Sequence, residues 1–417
     1  MNKNNDEKDS FKDYLIEIPN FLSIFMFAFF FMIASPMLID IAVSTGINTG
    51  NLSLVFTFYT IGAVIGQLTS VLYNRKFRKL YIIIISYIIT IPLIVFLSFS
   101  SNLYLFYILY LLIGYLLGVI WIQANEYILE NKIKNKDRIT TIALSFYPVG
   151  AFAAPLLASS VIHSGLSWRF SYYAIIFIIS VIIILYLSLI GGRGGKKVIE
   201  EKEKVGFKEI FTDSRKNIMF LLIALSIVFY CVSETVVSIW SPTFFRSERM
   251  FDIQTAGFAI SIFWISIIIG RAVVSYMAGK VRSSYVMIVL SITAIISMIF
   301  MIFLIKSKNA IFIVIGFTGL GFSGMFPLLI SSGSAVYKKG KGVLITILFA
   351  ASNVGISIAP FLTRLISRYS ITFSVSLAIV FMFSTMLLLI IYIVCENKIT
   401  RTKIIVNNKV GNYCLRK

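Results

Sequence analysis

The 417-residue chain has little charge, few cysteines and a single histidine. Only 13% of its residues are charged, against about a quarter in a typical soluble domain. The three cysteines, Cys231, Cys395 and Cys414, are isolated from one another, and His163 has no second ligand nearby, so the sequence predicts neither a disulfide framework nor a metal site. No P-loop and no catalytic set of acids, cysteine, serine and histidine is evident. We therefore expect no ATP hydrolysis, no enzymatic activity, no metal and no cofactor.

Long apolar runs make up most of the chain. Hydrophobic residues account for 58% of the sequence, and the mean hydropathy is +0.91. A helix needs roughly 20 mostly apolar residues to cross a bilayer, and it satisfies its own backbone hydrogen bonds where lipid cannot. The runs therefore predict an all-α membrane protein with twelve transmembrane helices. The predicted spans are 19–43, 51–73, 80–99, 103–129, 138–163, 169–190, 217–245, 252–278, 284–305, 309–336, 342–366 and 370–394.

Basic residues are unevenly distributed over the predicted loops. The formal net charge is +20, which in a soluble protein would suggest a nucleic-acid partner. Here the loops that follow even-numbered spans are rich in Lys and Arg, whereas those that follow odd-numbered spans carry few or none. Because basic loops remain in the cytoplasm, this alternation predicts that both termini and the central loop are cytoplasmic. The positive net charge is then explained by the basic cytoplasmic loops, and we expect no nucleic-acid partner.

A polar, basic stretch divides the spans into two sets of six. The predicted organisation is a cytoplasmic N-terminal tail (1–18), a six-helix bundle (19–190), a basic cytoplasmic linker (191–216), a second six-helix bundle (217–394) and a cytoplasmic C-terminal tail (395–417).

The two predicted bundles share a sequence repeat. The pattern V-G-x-x-x-x-P begins at Val149 in span 5 and again at Val354 in span 11, 205 residues later. A similar offset relates Gly66 of span 2 to Gly270 of span 8, and a basic loop follows each. Two parallel halves of six helices are a transporter architecture, so the repeat predicts two pseudo-symmetric bundles.

These features together resemble the major facilitator superfamily over residues 20–394. The loop 70–79 is similar to the family signature G-x-x-x-D-R-x-G-R-R/K, with Arg75 and Arg78 at basic positions and Asn74 in place of the acid. The resemblance implies a gating or structural role for Arg75 and Arg78, although both signature glycines are replaced.

Three further segments resemble the fucose–galactose–glucose proton symporter branch and the related TsgA-type permeases. They are Tyr230 to Glu234 with Trp240-Ser241-Pro242, Phe263-Trp264 with Gly270-Arg271, and Gly321 to Pro327. The resemblance implies proton-coupled uptake of a sugar. The branch's acid on helix 4 falls on Trp121, and its polar pair on helix 5 falls on Leu144 and Tyr147, so the sugar-binding residues of the branch are only partly present.

Two carboxylates within spans are candidates for proton or substrate binding, since an unpaired charge in the hydrocarbon region is costly. Glu234 lies near the middle of span 7 and, by the resemblance, faces the central cavity; the alternative is a structural hydrogen bond to a neighbouring helix. Glu126 lies beside Asn125 near the cytoplasmic end of span 4, and its alternative is solvation at the membrane interface.

Other polar and aromatic residues within the spans have weaker signals. Asp40 lies near the outer end of span 1, where exposed capping is the favoured interpretation and a gating charge the alternative. Arg271 is a candidate structural or gating charge, which either extends to the cytoplasmic face or partners a carboxylate. Further candidates to line the substrate site are Tyr147, Tyr230, Trp240, Trp264 and Asn353.

The sequence thus predicts a monomeric, multi-pass cell-membrane transporter that works by alternating access. We expect uptake of a sugar or a similar polar metabolite, with a proton as the coupling ion and Glu234, together with Glu126, as its carrier. Export of drugs or metabolites is the alternative. A sensor or scaffold is disfavoured because the stretch 191–216 is too short for a signalling domain.

Overall fold

The computed structural model describes residues 3–73, 78–130, 136–190, 214–277, 280–337 and 341–414. Within these ranges, twelve helices are long and apolar enough to cross a membrane. Each overlaps one predicted span, so the predicted all-α architecture with twelve spans is confirmed. Most of the predicted linker 191–216 lies outside the described residues.

The helices are numbered here by the span that they form. Their bounds are α1 Lys3–Thr45, α2 Leu54–Tyr73, α3 Lys79–Phe99, α4 Leu103–Glu130, α5 Lys136–His163, α6 Arg169–Ile190, α7 Ser214–Glu248, α8 Ile253–Met277, α9 Ser283–Ile299, α10 Lys308–Ser323 and Met325–Ala335, α11 Lys341–Ser367, and α12 Ile371–Cys414. A short helix, Thr49–Leu52, precedes α2, and a π-helical turn, Phe300–Leu304, ends α9. The span α10 is broken at Gly324, which caps its first segment.

The two halves have the same internal arrangement. In the N-terminal half α1 packs on α5 and α6, α2 on α4, and α3 on α4 and α6. In the C-terminal half α7 packs on α11 and α12, α8 on α10, and α9 on α10 and α12. Helices related by the repeat therefore have equivalent neighbours, and the two predicted pseudo-symmetric bundles are confirmed.

The glycine of the V-G-x-x-x-x-P repeat lies at an equivalent close crossing in each half. A Cβ atom at Gly150 would lie 2.2 Å from the carbonyl oxygen of Phe25 on α1, and one at Gly355 would lie 2.4 Å from that of Val228 on α7. Real Cβ atoms do not approach other atoms this closely, so these crossings require glycine. The sequence repeat thus records how α1 meets α5 and how α7 meets α11.

The halves meet along α1–α7, α2–α11 and α5–α8. We call the end of the bundle formed by the loops after α1, α3, α5, α7, α9 and α11 the distal end, and the opposite end the proximal end. Several hydrogen bonds join the halves in the distal part of the bundle, including Arg364 Nε to Asn51 Oδ1 at 3.0 Å and Ser261 Oγ to the Phe152 carbonyl at 2.9 Å.

Towards the proximal end the side chains between the halves become exposed. Leu144 lies one turn proximal to Tyr147 on α5, and Phe349 lies one turn proximal to Asn353 on α11; each is 41% exposed. The halves are therefore hydrogen-bonded to each other in the distal part of the bundle, and we interpret the exposed side chains of α5 and α11 as the walls of a cleft that opens at the proximal end.

Candidate functional site

Glu234 and Tyr230 lie one turn apart on α7 and are hydrogen-bonded to each other. The Tyr230 hydroxyl donates to Glu234 Oε1 at 2.5 Å and lies 3.2 Å from the carbonyl oxygen of Phe322 on α10. Tyr230 is fully buried, whereas Glu234 is half-buried and keeps part of its surface accessible. Tyr230 therefore holds the carboxylate of Glu234 from its buried side, and the other side of Glu234 is accessible.

The break in α10 supplies backbone oxygens to this site. Pro327 has no N–H group, so the Ser323 carbonyl, four residues earlier, has no intrahelical donor. Arg271 Nε of α8 donates to that oxygen at 3.3 Å. The carbonyl oxygens of Phe322 and Ser323 thus anchor Tyr230 and Arg271, in the way that broken transmembrane helices present backbone oxygens to a central site.

Opposite charges face each other across α7 and α8. The Arg271 guanidinium interacts electrostatically with Glu234 and with the hydroxyls of Tyr230 and Tyr147. Among the described residues its only hydrogen-bond partner is Ser323, so its terminal nitrogens are not engaged by other side chains. A carboxylate within the membrane is far less costly when a cation lies close to it.

An aromatic wall, formed by Phe27, Trp121, Tyr147 and Trp264, continues the site into the N-terminal half. Successive ring centroids along it are 4.9, 5.8 and 6.2 Å apart. The wall runs from α1 through α4 and α5 to α8, so it crosses the boundary between the halves. Trp121 and Tyr147 are half-buried, and both can present a ring face to a bound solute.

Comparison with known proteins identifies the family. Residues 21–360 match the family model described as Major Facilitator Superfamily. The chain belongs to this superfamily. It is 21% identical to the glucose/mannose transporter GlcP of Bacillus subtilis (strain 168) over 397 residues, which cover 91% of this chain and 95% of that protein. It is also 22% identical over 333 residues to the TsgA homolog of Buchnera aphidicola subsp. Baizongia pistaciae (strain Bp), covering 78% of this chain and 79% of the relative.

Solved structures agree with this facilitator fold. The chain is similar to a bacterial homolog of the human lysosomal transporter Spinster, captured inward-facing and unoccupied, with a TM-score of 0.71, 13% identity, and coverage of 93% of this chain and 97% of that one. It is also similar to the nucleoside transporter NupG, with a TM-score of 0.69, 13% identity, and coverage of 92% and 98%. Membership of the superfamily makes the chain a multi-pass transporter of the cell membrane rather than an enzyme, as the sequence indicates.

Both tryptophan candidates are buried in this facilitator, as Tyr230 is. Trp240 is 1% and Trp264 2% exposed, and neither indole N–H has a hydrogen-bond partner among the described residues. Trp264 still contacts Tyr147 across the halves, whereas Trp240 lies inside the packing of α7. Of the predicted lining residues, Tyr147 has an accessible ring in this state.

Glu126 lies apart from the central site. The Glu126 carboxylate lies at the proximal end of α4. It is 2.8 Å from Nζ of Lys79, the first residue of α3. Its neighbour Asn125 donates to the carbonyl oxygen of Trp121 on its own helix at 2.7 Å. Arg78 is exposed next to Lys79, and Arg75 lies outside the described residues.

Asp40 corrects one of our predictions. Exposed capping is wrong, because α1 continues past Asp40 to Thr45 and so has no helix end at this residue. Both carboxylate oxygens instead accept hydrogen bonds from Arg246 of α7, whose Nη1 also donates to the Pro36 carbonyl at 3.1 Å. This ion pair joins the two halves at the distal end.

The sequence interpretation missed Gln67 of α2. Its Oε1 is 3.5 Å from Nδ2 of Asn353 on α11, across the boundary between the halves. Gln67 also follows Gly66 as Arg271 follows Gly270, so the repeat gives Gln67 the position in its half that Arg271 has in the other. That offset was the one signal in the sequence that could have found it.

Proposed function

We propose that this facilitator is a proton-coupled transporter that takes up a sugar or a similar polar metabolite by alternating access. The observation that carries the proposal is the half-buried Glu234 carboxylate, held by Tyr230 and lying opposite Arg271 next to the boundary between the halves. A lone acid at such a depth is a functional group by default.

Protonation of Glu234 would remove one negative charge from the site. An ionised Glu234 is balanced by Arg271, and a protonated Glu234 releases Arg271 from that interaction. Because the two side chains lie on α7 and α8, while Tyr147 of the other half also feels both charges, the proton alters interactions across the moving boundary. We assign proton transfer to Glu234.

The aromatic wall supports a sugar or a similar solute. Half-buried Trp121 and Tyr147 present ring faces that can stack on the C–H face of a sugar ring, and the tyrosine hydroxyl can bond to one of its hydroxyls. The name of the Bacillus subtilis relative, a glucose/mannose transporter, makes D-glucose and D-mannose the first solutes to test.

The charge of the loops supports a cytoplasmic proximal end. Under the positive-inside rule the basic loops after even-numbered helices lie inside the cell. The cleft then opens to the cytoplasm, and the ion pair of Asp40 with Arg246 closes the outer side.

Transport into proteoliposomes tests the proposed function. The full chain is reconstituted, a pH gradient, acid outside, is imposed, and the accumulation of radiolabelled D-glucose and D-mannose is measured. We expect accumulation above the external concentration that a protonophore abolishes. Efflux driven by the same gradient would instead favour the exporter, and equilibration without accumulation would contradict proton coupling.

A further inference from the structure

Two side-chain amides face each other across the boundary between the halves. Gln67 of α2 and Asn353 of α11 are both half-buried, and their only mutual hydrogen bond is 3.5 Å long. This length is beyond the usual range for an N–H···O bond, so the contact is weak. Among the described residues neither side chain makes any other hydrogen bond.

Most of the hydrogen-bonding capacity of this pair is therefore unused. Each amide has two N–H donors and an oxygen with two lone pairs. Leaving such groups unpaired inside a membrane is costly, so they need water or a solute as a partner. Phe349, one turn proximal to Asn353, is 41% exposed, so the surface of α11 next to the pair is accessible.

The amide pair differs from its neighbours on the same interface. One to two turns further towards the distal end, Ser357 Oγ is 2.8 Å from Thr60 Oγ1, and Thr57 donates to the Ser357 carbonyl at 3.0 Å. These well-formed bonds hold α2 against α11. Gln67 and Asn353 are thus not needed as the polar link between the two helices, and they lie where the interface meets the cleft.

The repeat also relates Gln67 to the charged site. A Cβ atom at Gly66 would lie 2.1 Å from the Tyr115 carbonyl oxygen, and one at Gly270 would lie 2.3 Å from Ser323 Oγ. Each glycine lets its helix approach a neighbour closely, and each is followed by a long polar side chain, Gln67 or Arg271. The repeat thus places Gln67 at the position in its half that Arg271 has in the other.

We propose that Gln67 and Asn353 form a hydroxyl-recognition site for the transported sugar, with one amide from each half. An amide can donate to one hydroxyl and accept from its neighbour, which suits the adjacent hydroxyls of a hexose. A sugar bound there replaces the weak contact between the two amides and links α2 to α11 by its own hydrogen bonds. The assignment rests on the proposed function, and it adds the residues that distinguish a polyhydroxylated solute from an apolar one.

A cycle of variants and sugar analogues tests the proposal. Uptake of D-glucose and of its monodeoxy analogues, each lacking one hydroxyl, is measured for the wild type, Gln67→Met and Asn353→Leu. For the wild type we expect KM to rise about three- to tenfold for at least one analogue, the loss of one neutral hydrogen bond. One of the two variants lacks the amide that binds this hydroxyl. Its KM for glucose should rise by a similar factor, and its KM for the analogue should then equal its KM for glucose.

Ser357→Ala is the matched control. It removes a hydrogen bond from the same helix pair but not from the proposed site, so it should keep the wild-type order of analogues. The two amide variants are measured independently, so if one fails to reach the membrane the other still decides the test. Gln67→Asn keeps an amide and should retain part of the difference in KM between glucose and its deoxy analogues.

The outcomes separate this proposal from the proposed function. If the wild type accumulates hexose and both amide variants keep the wild-type order of analogues, with changes confined to kcat, the amides only hold the halves together and the recognition site is wrong. If the wild type accumulates neither D-glucose nor D-mannose, the sugar assignment itself is wrong and the recognition site falls with it.

Discussion

Ser35 of α1 donates its hydroxyl to the carbonyl oxygen of Ser238 on α7 at 2.9 Å, the oxygen that Pro242 leaves without an intrahelical donor. The same hydroxyl is 3.0 Å from the Ile239 carbonyl oxygen. A proline inside a helix thus creates an acceptor for the opposite half of the protein. Together with the ion pair of Asp40 and Arg246, this contact joins α1 to α7 at the distal end.

We predict that Asp40→Asn opens the distal end more often. The substitution removes a charge-assisted contact between the halves, which contributes about 1–3 kcal/mol to the closed state. The fully buried Ser238, whose hydroxyl has no partner among the described residues, can carry a reporter as Ser238→Cys in a background without the native cysteines. Labelling of this cysteine by a membrane-impermeant maleimide should be faster in Asp40→Asn.

Asp252→Asn is the control for that experiment. It removes a carboxylate from the same end of the bundle, but Asp252 pairs with Lys308 within one half. Its labelling rate should equal that of the reporter alone. Equal rates for Asp40→Asn and the reporter would mean that the ion pair does not hold the distal end closed.

We predict that Glu234→Gln abolishes proton-driven accumulation but retains exchange of solute across the membrane. The amide preserves the size of the side chain and can accept the Tyr230 hydroxyl, yet it carries no titrating proton. Accumulation under a pH gradient and counterflow at equal pH are measured in the same proteoliposomes. A variant that still concentrates solute to the wild-type level would remove Glu234 from the coupling mechanism.

Asp252→Asn serves here as a matched carboxylate-to-amide change. A hydrogen bond from the Thr255 hydroxyl, with further bonds from the Thr255 backbone and Lys308, holds the pKa of Asp252 well below its ordinary value. Asp252 therefore stays ionised throughout the neutral range in which transport is measured. Its replacement should leave both accumulation and counterflow unchanged.

We predict that Glu126→Gln retains accumulation. Glu126 pairs with Lys79 at the proximal end of α4, and a partly exposed ion pair of this kind contributes at most about 1 kcal/mol. The initial rate of uptake, which depends on opening and closing of that end, can change by up to about fivefold, while the final accumulation ratio should not. Loss of accumulation with intact counterflow would assign the proton to Glu126 instead.

We predict that Gly355→Ala lowers the melting temperature of the purified protein. The added methyl group would overlap the Val228 carbonyl oxygen, and such overpacking costs about 1–3 kcal/mol. Gly316→Ala is the control, because its Cβ atom would meet Ser266 Oγ at 3.5 Å and Ile262 Cγ2 at 3.6 Å, both ordinary contacts, and alanine favours a helix. A melting temperature of Gly355→Ala at or above that of the control would contradict the close crossing of α7 and α11.

The architecture followed from the sequence because lipid imposes a simple rule. Twelve apolar runs of sufficient length can satisfy their backbone groups only as helices, and the repeat at Gly150 and Gly355 gave the relation between the halves. The break at Gly324 did not follow, since Gly and Pro also occur in continuous transmembrane helices. There a Cβ atom would lie 2.7 Å from Val274 Cγ2 of α8, so the packing against a neighbouring helix, rather than local propensity, requires the glycine.

The sequence marked the charged members of the candidate site most clearly. Glu234 and Arg271 are conspicuous within apolar runs, and in the structure Arg271 lies near enough to interact electrostatically with Glu234. Gln67 carries no charge and lies close to the end of its span, so its partner on α11 emerges only from the folding of both halves. The partner of Asp40 likewise emerges only from the folding of both halves. Adding the 205-residue offset of the repeat to Asp40 gives Phe245, the neighbour of Arg246.

The interruption of α10 divides a single membrane crossing between two sets of neighbours. The segment Lys308–Ser323 packs on α8 and α9, whereas Met325–Ala335 packs mainly on α7 and α11 and also touches α9. A rearrangement of α7 or α11 would therefore act directly on the proximal segment and reach the distal segment through Gly324, next to the oxygen that anchors Arg271.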